Sequence, residues 1–276
     1  MRRRAPLAAA VIVTALALAG CGGSGDGAHE GGGSRAAAGP HHSATSGVLH
    51  YSLDSGFTHA PRAQIAIRPA GVERPPLLVF LHGRATTPET IVDGGLAAAV
   101  RRLGPRAPAV VLPDGGDHSF YHDRVGGQWA EYLMREVIPT AVKRLHADRR
   151  RIAIGGISMG GFGAYDLALH HRGRFCAVGG HSPAISRTAA ETAPGAFDDS
   201  ADFARNDVVA MARSGRPARR LWLDAGDGDP FLAGDRALAA ALGVRLRTSP
   251  GGHDDAYWRS HYDQYVRFYA AALAHC

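Results

Sequence analysis

The chain has little of what marks a nucleic-acid-binding protein or a metalloprotein. Lys143 is its single lysine, and the formal net charge is +6 over 276 residues. Subtracting Arg2, Arg3 and Arg4, which begin an N-terminal segment that we expect to be removed, leaves +3. Such a small excess does not favour nucleic acid as a partner. The 15 histidines show no metal-ligand spacing such as HExxH, so neither a metal nor another cofactor is predicted.

Cysteine is scarce too, and long apolar runs are almost absent. There are three cysteines, and one long apolar stretch, from Ala5 to Ala19, stands out. The rest is ordinary globular composition, with 45% hydrophobic and 20% charged residues overall. The chain is long enough for one large core, and α/β domains of this size often stay undivided. We therefore expect one domain preceded by a short N-terminal targeting segment.

The N-terminus has the layout of an export signal. The segment "MRRRAPLAAAVIVTALALAGC" joins a basic start, an apolar stretch and small residues before a cysteine. It is short and abruptly ended for a membrane-spanning helix. Leu18-Ala19-Gly20-Cys21 resembles the lipobox of bacterial lipoproteins. That resemblance implies a signal peptide over residues 1–20 and lipidation of Cys21. The alternative is a plain secretory signal with a chance cysteine.

Residues 21–46 are predicted to be a tether. Their Gly, Ala, Ser and His residues offer almost nothing to bury, so they favour a flexible linker. We therefore expect residues 47–276 to be the folded domain, lipid-anchored at the outer face of the bacterial cell membrane, or secreted if Cys21 is unmodified. Disulfides persist outside the cytoplasm, which makes pairing of Cys176 with Cys276 a hypothesis that the sequence leaves open.

From about residue 47, short apolar runs alternate with helical patterns. Such alternation favours a mostly parallel sheet with helices on both faces. Residues 183–219 have no strand pattern, and we expect a small helical excursion there, with a small lid or none. The predicted strands are 64–69, 77–83, 109–116, 151–158, 175–182, 220–226 and 244–250, and the predicted helices are 87–103, 128–146, 232–242 and 254–275.

A G-x-S-x-G motif lies where one predicted strand meets a helix. It comprises Gly156, Ser158 and Gly160 around Ile157 and Met159. A nucleophilic serine on so tight a turn needs neighbours without side chains, and the two glycines meet that need. The alternative is a serine that only forms the turn or caps the helix.

A serine hydroxyl needs a base and an acid, which in this motif class follow in the order Ser, acid, His. His253, on a glycine loop before the last helix, is the candidate base; otherwise it is a loop histidine that caps that helix. Asp224, Asp227 and Asp229 compete for the acid. Asp224 still belongs to the strand, so we favour Asp229, with Asp227 as the alternative.

Acyl transfer also needs hydrogen-bond donors for the oxyanion. The backbone N–H of Met159, directly after the serine, is one candidate. The second comes from the end of an earlier strand, at "FLHGRAT". There we favour the backbone N–H of Arg84, with that of Gly83 as the alternative, and expect His82 to shape the loop.

The motifs "LHGR", "SFYHD" (119–123), "GISMGG", "GDGDPF" and "GGHDDAYW" together resemble the α/β-hydrolase fold. More narrowly, roughly residues 60–275 resemble the esterase branch with S-formylglutathione hydrolases, feruloyl and acetylxylan esterases and mycolyltransferases. The resemblance again points to Asp229 as the acid. It also implies that Tyr121, Asp123, Phe231 and Trp258 lie at the substrate pocket.

The sequence thus predicts a serine esterase that acts on a small-molecule or cell-envelope ester without a cofactor. Its catalytic residues would be Ser158, His253 and Asp229. The main alternative is a mycolyltransferase-like acyltransferase that passes the acyl group to a sugar or lipid alcohol. Two further alternatives are a peptidase and a non-catalytic surface protein. A non-catalytic protein would lack at least one residue of the triad, and the sequence has candidates for all three.

Overall fold

The computed structural model describes residues 47–276. The predicted signal peptide, Cys21 and the predicted tether lie outside these residues, so they stay predictions. Within the described range, the structure contains no helix that is both long and apolar enough to cross a membrane.

Ten strands lie in the described part of the chain, and eight of them form the central sheet. Their bounds are β1 (Gly47–Ser55), β2 (Ala60–Arg68), β3 (Leu77–Leu81), β4 (Ala109–Pro113), β5 (Asp123–Arg124), β6 (Gly127–Gln128), β7 (Ile152–Ser158), β8 (Ala177–Pro183), β9 (Arg220–Gly226) and β10 (Leu246–Ser249).

The sheet has the order β1-β2-β4-β3-β7-β8-β9-β10, and β5 and β6 form a separate hairpin. Strand β2 pairs antiparallel with both β1 and β4. All other neighbours in the sheet are parallel. The carboxyl ends of β3, β7, β8 and β9 therefore meet along one edge.

Helices cover both faces of this sheet. Their bounds are α1 (Pro88–Ile91), α2 (Ala97–Leu103), α3 (Trp129–Glu131), α4 (Ile138–Leu145), α5 (Met159–His170), α6 (Ser200–Arg205), α7 (Val208–Arg213), α8 (Leu232–Leu242) and α9 (Asp255–Ala274). The π-helical turns Val92–Leu96 and Tyr132–Val137 interrupt the two helices predicted over 87–103 and 128–146.

Alternate residues of the central strands contribute to two separate cores. Leu77 and Val79 of β3 pack in the core that α4, α5 and α8 cover. Leu78 and Phe80 point the other way and pack against α2 and α9. Because β3 is apolar on both sides, its sequence reads as a continuous hydrophobic run. The predicted mostly parallel sheet with helices on both faces is confirmed.

Two glycines in adjacent strands make room for one tyrosine. A side chain at Gly155 or at Gly179 would overlap the Tyr269 hydroxyl, which α9 carries into the sheet. That hydroxyl lies 2.9 Å from Nε2 of His181. The first glycine of each pair in "IGGIS" and "VGGHS" thus lets α9 approach the sheet closely.

The structure also adds elements that the sequence did not predict. Strand β1 is one, because its exposed and half-buried residues lack a continuous apolar run. The segment 183–219 forms α6, α7 and a 3₁₀ turn, in keeping with the expected helical excursion. Cys176 and Cys276 form a disulfide with their Cα atoms 5.6 Å apart, which ties the end of the chain to the start of β8.

Candidate active site

Ser158 lies at the junction of β7 and α5 in a rarely populated backbone conformation. Its φ is 52° and its ψ −119°, and strain of this kind is typical of functional turns. A Cβ at Gly156 would lie 2.6 Å from the Leu81 carbonyl oxygen, and one at Gly160 would strike the backbone of Leu81 and His82. The two glycines of the motif therefore allow the turn that presents the serine at the sheet edge.

His253 and Asp229 reach Ser158 from two other loops at the same edge. His253 lies between β10 and α9, and its Nε2 is 2.7 Å from Oγ of Ser158. Its Nδ1 is 2.9 Å from Oδ2 of Asp229, which follows β9. A carboxylate only accepts hydrogen bonds, so Nδ1 donates to it and Nε2 is left to accept from the serine hydroxyl.

The surroundings of Asp229 keep its carboxyl ionised. Burial, the largest single influence, raises the pKa of this group. The hydrogen bond from His253, the attraction of a charged His253 ring and the bond from the Phe231 amide oppose burial. Together they outweigh it, so the pKa of Asp229 lies below its ordinary value. The Phe231 amide donates to Oδ1 at 2.8 Å and fixes the carboxylate plane.

The structure does not bring the other two acids to His253. Asp227 instead accepts a hydrogen bond from the Gly251 amide at 3.2 Å, so its carboxylate stabilises the loop between β10 and α9. Asp224 is buried and accepts from the hydroxyls of Tyr257 at 2.9 Å and Tyr265 at 2.8 Å. In this geometry Asp229, and not the alternative Asp227, contacts the ring of His253.

The polar cluster around Asp224 supports the loop that carries His253. Nδ1 of His181 lies 2.7 Å from Oδ1 of Asp224, and the indole of Trp222 donates to the same oxygen at 2.6 Å. The ring of Tyr257 packs so closely on Gly251 that a Cβ there would lie 2.7 Å from it. The buried cluster thus contacts the backbone at Gly251, two residues before His253.

The peptide between Gly83 and Arg84 is held in one orientation. The Gly83 carbonyl oxygen accepts from Oγ1 of Thr86 at 2.9 Å and lies 2.8 Å from Nδ1 of His82. The Gly115 amide donates to Nε2 of His82 at 2.8 Å, so Nδ1 is the protonated nitrogen. In a trans peptide the Arg84 N–H points opposite to that carbonyl, away from both partners. His82 therefore shapes this loop, as expected from the sequence.

Two further contacts place the same loop beside the serine. The Ala85 amide donates to Oδ1 of Asp117 at 2.7 Å. A Cβ at Gly83 would lie 3.4 Å from Cβ of Ser158. Met159, the other predicted donor residue, is the first residue of α5, where backbone N–H groups have no partner within the helix. Sequence reasoning missed the contribution of Asp117, because neither of the two acids in "DGGDHS" gives a signal of its partner.

A cavity of about 390 Å³ opens at Ser158. Its wall contains three aromatic rings, those of Phe120, Phe231 and Trp258, and its polar lining includes Arg84, Asp254 and Asp255. The ring centroid of His253 lies 4.9 Å from that of Phe231 and 5.1 Å from that of Trp258. These two rings hold the imidazole in place.

Of the predicted pocket residues, the structure places Phe231 and Trp258 in the cavity wall, whereas Tyr121 and Asp123 do not line the cavity. Tyr121 is fully buried, and its hydroxyl bonds with the backbone of His82 at 3.1 Å and 3.2 Å. Asp123 accepts from the amide of Ala130 and so caps α3. Phe120, next to Tyr121, lines the cavity instead.

A second carboxyl is buried close to the triad acid. Asp235 of α8 is 0% exposed, and within the described residues neither of its oxygens has a hydrogen-bond partner. Burial, followed by the nearby charges of Asp229 and Asp224, raises the pKa of Asp235 well above its ordinary value. Ionising this group therefore costs more in the folded protein than in the unfolded chain.

Asp235→Asn is expected to remove a pH-dependent loss of stability. Between the unfolded-state pKa, about 3.9, and the raised native pKa, the unfolded chain binds fewer protons than the native state. The free energy of unfolding contributed by this group therefore falls as pH rises through that window. Urea denaturation of both proteins from pH 5 to 9 should show that the free energy of unfolding of the variant increases relative to that of the wild type as the pH rises. Parallel curves would contradict this expectation.

Proteins of known activity resemble this chain in sequence. The family model described as "Putative esterase" matches residues 61–269. The chain is 26% identical to the S-formylglutathione hydrolase of Paracoccus denitrificans (strain Pd 1222) over 232 residues, which are 72% of this chain and 83% of that protein.

Solved structures match over most of the chain as well. A ferulic acid esterase superposes with a TM-score of 0.70 at 26% identity, covering 83% of this chain and 98% of that chain. The fluorophosphonate-binding serine hydrolase F of Staphylococcus aureus superposes with a TM-score of 0.66 at 19% identity, covering 82% of this chain and 98% of that chain. The predicted α/β-hydrolase fold is confirmed. The chain belongs to the "Putative esterase" family, and it is a serine esterase of the α/β-hydrolase type.

Proposed function

We propose that the enzyme hydrolyses carboxylic esters through a covalent acyl-enzyme. The observation that carries this proposal is the continuous relay from Oγ of Ser158 to His253 at 2.7 Å and from His253 to Asp229 at 2.9 Å. Such a relay lets the imidazole take the hydroxyl proton as the oxygen attacks, while the carboxylate stabilises the imidazolium that forms.

The reaction then proceeds in two halves. Oγ of Ser158 bonds to the ester carbonyl carbon, and the carbonyl oxygen becomes an oxyanion that the N–H groups of Met159 and Arg84 stabilise. The C–O bond to the alcohol breaks, and His253 gives its proton to the leaving oxygen. A water molecule next gives a proton to His253 and attacks the acyl carbon. The bond from that carbon to Oγ of Ser158 then breaks, and His253 returns the proton to Oγ, which releases the carboxylic acid and restores the serine.

The cavity favours small-molecule esters with an apolar acyl or alcohol group. About 390 Å³ is the size of a small-ligand pocket. The rings of Phe120, Phe231 and Trp258 offer an apolar surface for such a group.

Transfer of the acyl group to a sugar or lipid alcohol is the second candidate. It uses the same acyl-enzyme, with an alcohol in place of water. Arg84, Asp254 and Asp255 favour it, because they line the cavity and can hydrogen-bond to sugar hydroxyls. Supplying trehalose or glycerol with a p-nitrophenyl ester and measuring acylated alcohol by mass spectrometry distinguishes transfer from hydrolysis.

Labelling with a fluorophosphonate tests the nucleophile without a guess about the substrate. The probe forms a covalent bond with an activated serine, and peptide mapping should place it on Ser158 alone. Prior heat denaturation should abolish labelling, because the relay depends on the fold. A label on another serine, or none in an enzyme that still cleaves esters, would overturn the proposed mechanism.

We also propose that the enzyme is exported and anchored through Cys21. The support is the N-terminal sequence, together with a Cys176–Cys276 disulfide of the kind that persists outside the cytoplasm. In cells of the source bacterium, the wild type should partition into the detergent phase of Triton X-114. Cys21→Ala should move to the aqueous phase, and unchanged partitioning of that variant would contradict the anchor.

A further inference from the structure

Four arginines line a second cavity, at the edge of the sheet opposite Ser158. The cavity measures about 360 Å³ and is lined by Arg150, Arg174, Arg219 and Arg220. We call it the basic cavity. Arg150 precedes β7, Arg174 precedes β8, and Arg220 begins β9. The cavity therefore lies at the amino ends of these parallel strands, and a seven-residue strand places it about 20 Å from the serine.

Within residues 47–276, no acidic side chain pairs with these arginines. None of the four side chains forms an ion pair there, unlike Arg124 with Asp198 or Arg102 with Asp263. None donates a side-chain hydrogen bond within that range either, and no Asp or Glu side chain lines the cavity. The N–H donors of these four side chains are therefore left for an outside partner.

The acid nearest in sequence does not serve the basic cavity. Asp148 accepts from the Arg150 backbone amide at 3.0 Å and pairs with the side chain of Arg151 at 3.2 Å. Its carboxylate is therefore already engaged, while the Arg150 side chain remains free for the cavity.

Two features give the basic cavity a defined wall. The disulfide between Cys176 and Cys276 lines it and fixes the end of the chain there. The half-buried guanidinium of Arg174 lies 5.9 Å from the ring centroid of Phe175. Burial lowers the pKa of Arg174, so this cation is partly removed from water and interacts more strongly with an anion.

We propose that the basic cavity binds a phosphate-bearing anion, which is either the headgroup of an anionic lipid or a free phosphate ester. The planar guanidinium fork matches the oxygens of a phosphate and binds it through two parallel hydrogen bonds. Because the cavity and the active site lie at opposite edges of the sheet, an enzyme held on a lipid surface through the basic cavity would turn Ser158 away from that surface.

Binding should be measured on the full chain carrying Cys21→Ser, so that no attached lipid contributes. Pyrophosphate in a calorimetric titration probes free phosphate. Sedimentation with vesicles of phosphatidylglycerol and phosphatidylcholine, against phosphatidylcholine alone, probes a headgroup. Arg174→Gln with Arg220→Gln is the test variant. Arg101→Gln with Arg213→Gln removes the same charge from two exposed positions outside the cavity and is the matched control.

We expect at least one probe to bind, and the test variant to bind it at least tenfold more weakly, with the control variant unchanged. Unaltered hydrolysis of a p-nitrophenyl ester by the test variant would show that it is folded. Binding of pyrophosphate alone would identify a free phosphate ester, whereas binding to the anionic vesicles would identify a headgroup. Failure of both probes to bind, or an equal loss in the control variant, would overturn the proposal.

Discussion

Ser158→Ala is expected to lower kcat for p-nitrophenyl acetate by on the order of a millionfold. The hydroxyl is the group that hydrogen-bonds to His253, at 2.7 Å, and without it no acyl-enzyme forms. KM should change little, because the cavity wall is untouched. The measurement is initial-rate kinetics on protein whose thermal unfolding matches that of the wild type.

Ser214→Ala is the matched control, because Ser214 is exposed and ends α7 outside the cavity. Its kcat should equal that of the wild type. A Ser158→Ala protein that keeps even a hundredth of the activity would mean that another group carries out the reaction.

Asp229→Asn is expected to lower kcat by about ten-thousandfold, and Asp227→Asn to leave it within about threefold. The amide that replaces the Asp229 carboxylate would offer N–H groups to Nδ1 of His253, which favours the tautomer that cannot accept the Ser158 proton. Asp227 lies two residues away but bonds to the Gly251 amide, not to the ring. The pair therefore compares two equal chemical changes in one loop.

Kinetics of both variants across pH 5 to 9 check this assignment. The wild-type carboxylate, whose pKa is lowered, stays ionised over that whole range, so loss of activity on acidification should not come from Asp229. If Asp227→Asn instead caused the larger loss, the loop would adopt a different arrangement during catalysis, and Asp229 would not be the acid.

The strands in the interior of the sheet were predictable, whereas the edge strand β1 was not. The buried strands β3 and β7 read as apolar runs, because both of their faces are covered. Strand β1 pairs on one side only and is largely exposed, so hydrophobicity alone gives it no signal. Its position depends on its register with β2, which is a long-range property.

The order of site residues along the chain was predictable, but side-chain direction was not. Ser158 ends β7, and Asp229 and His253 follow β9 and β10, whose carboxyl ends lie at the same edge. The motif and the chain order therefore predicted where these residues meet, but they left Asp227 as an alternative acid. Phe120 and Tyr121 are adjacent, with φ of 49° and 61°. Two successive residues in this region break the usual alternation of side chains, and no sequence rule says which ring faces the substrate.

The last helix, α9, has a consequence for synthesis on the ribosome. It supplies Trp258 to the cavity, Tyr257 and Tyr265 to Asp224, and Tyr269 to the gap at the strand glycines. Without this helix, one face of the sheet is uncovered and Oδ2 of Asp224 lacks its two tyrosine partners. We therefore expect the described domain to complete its core and its active site only once α9 has been synthesised.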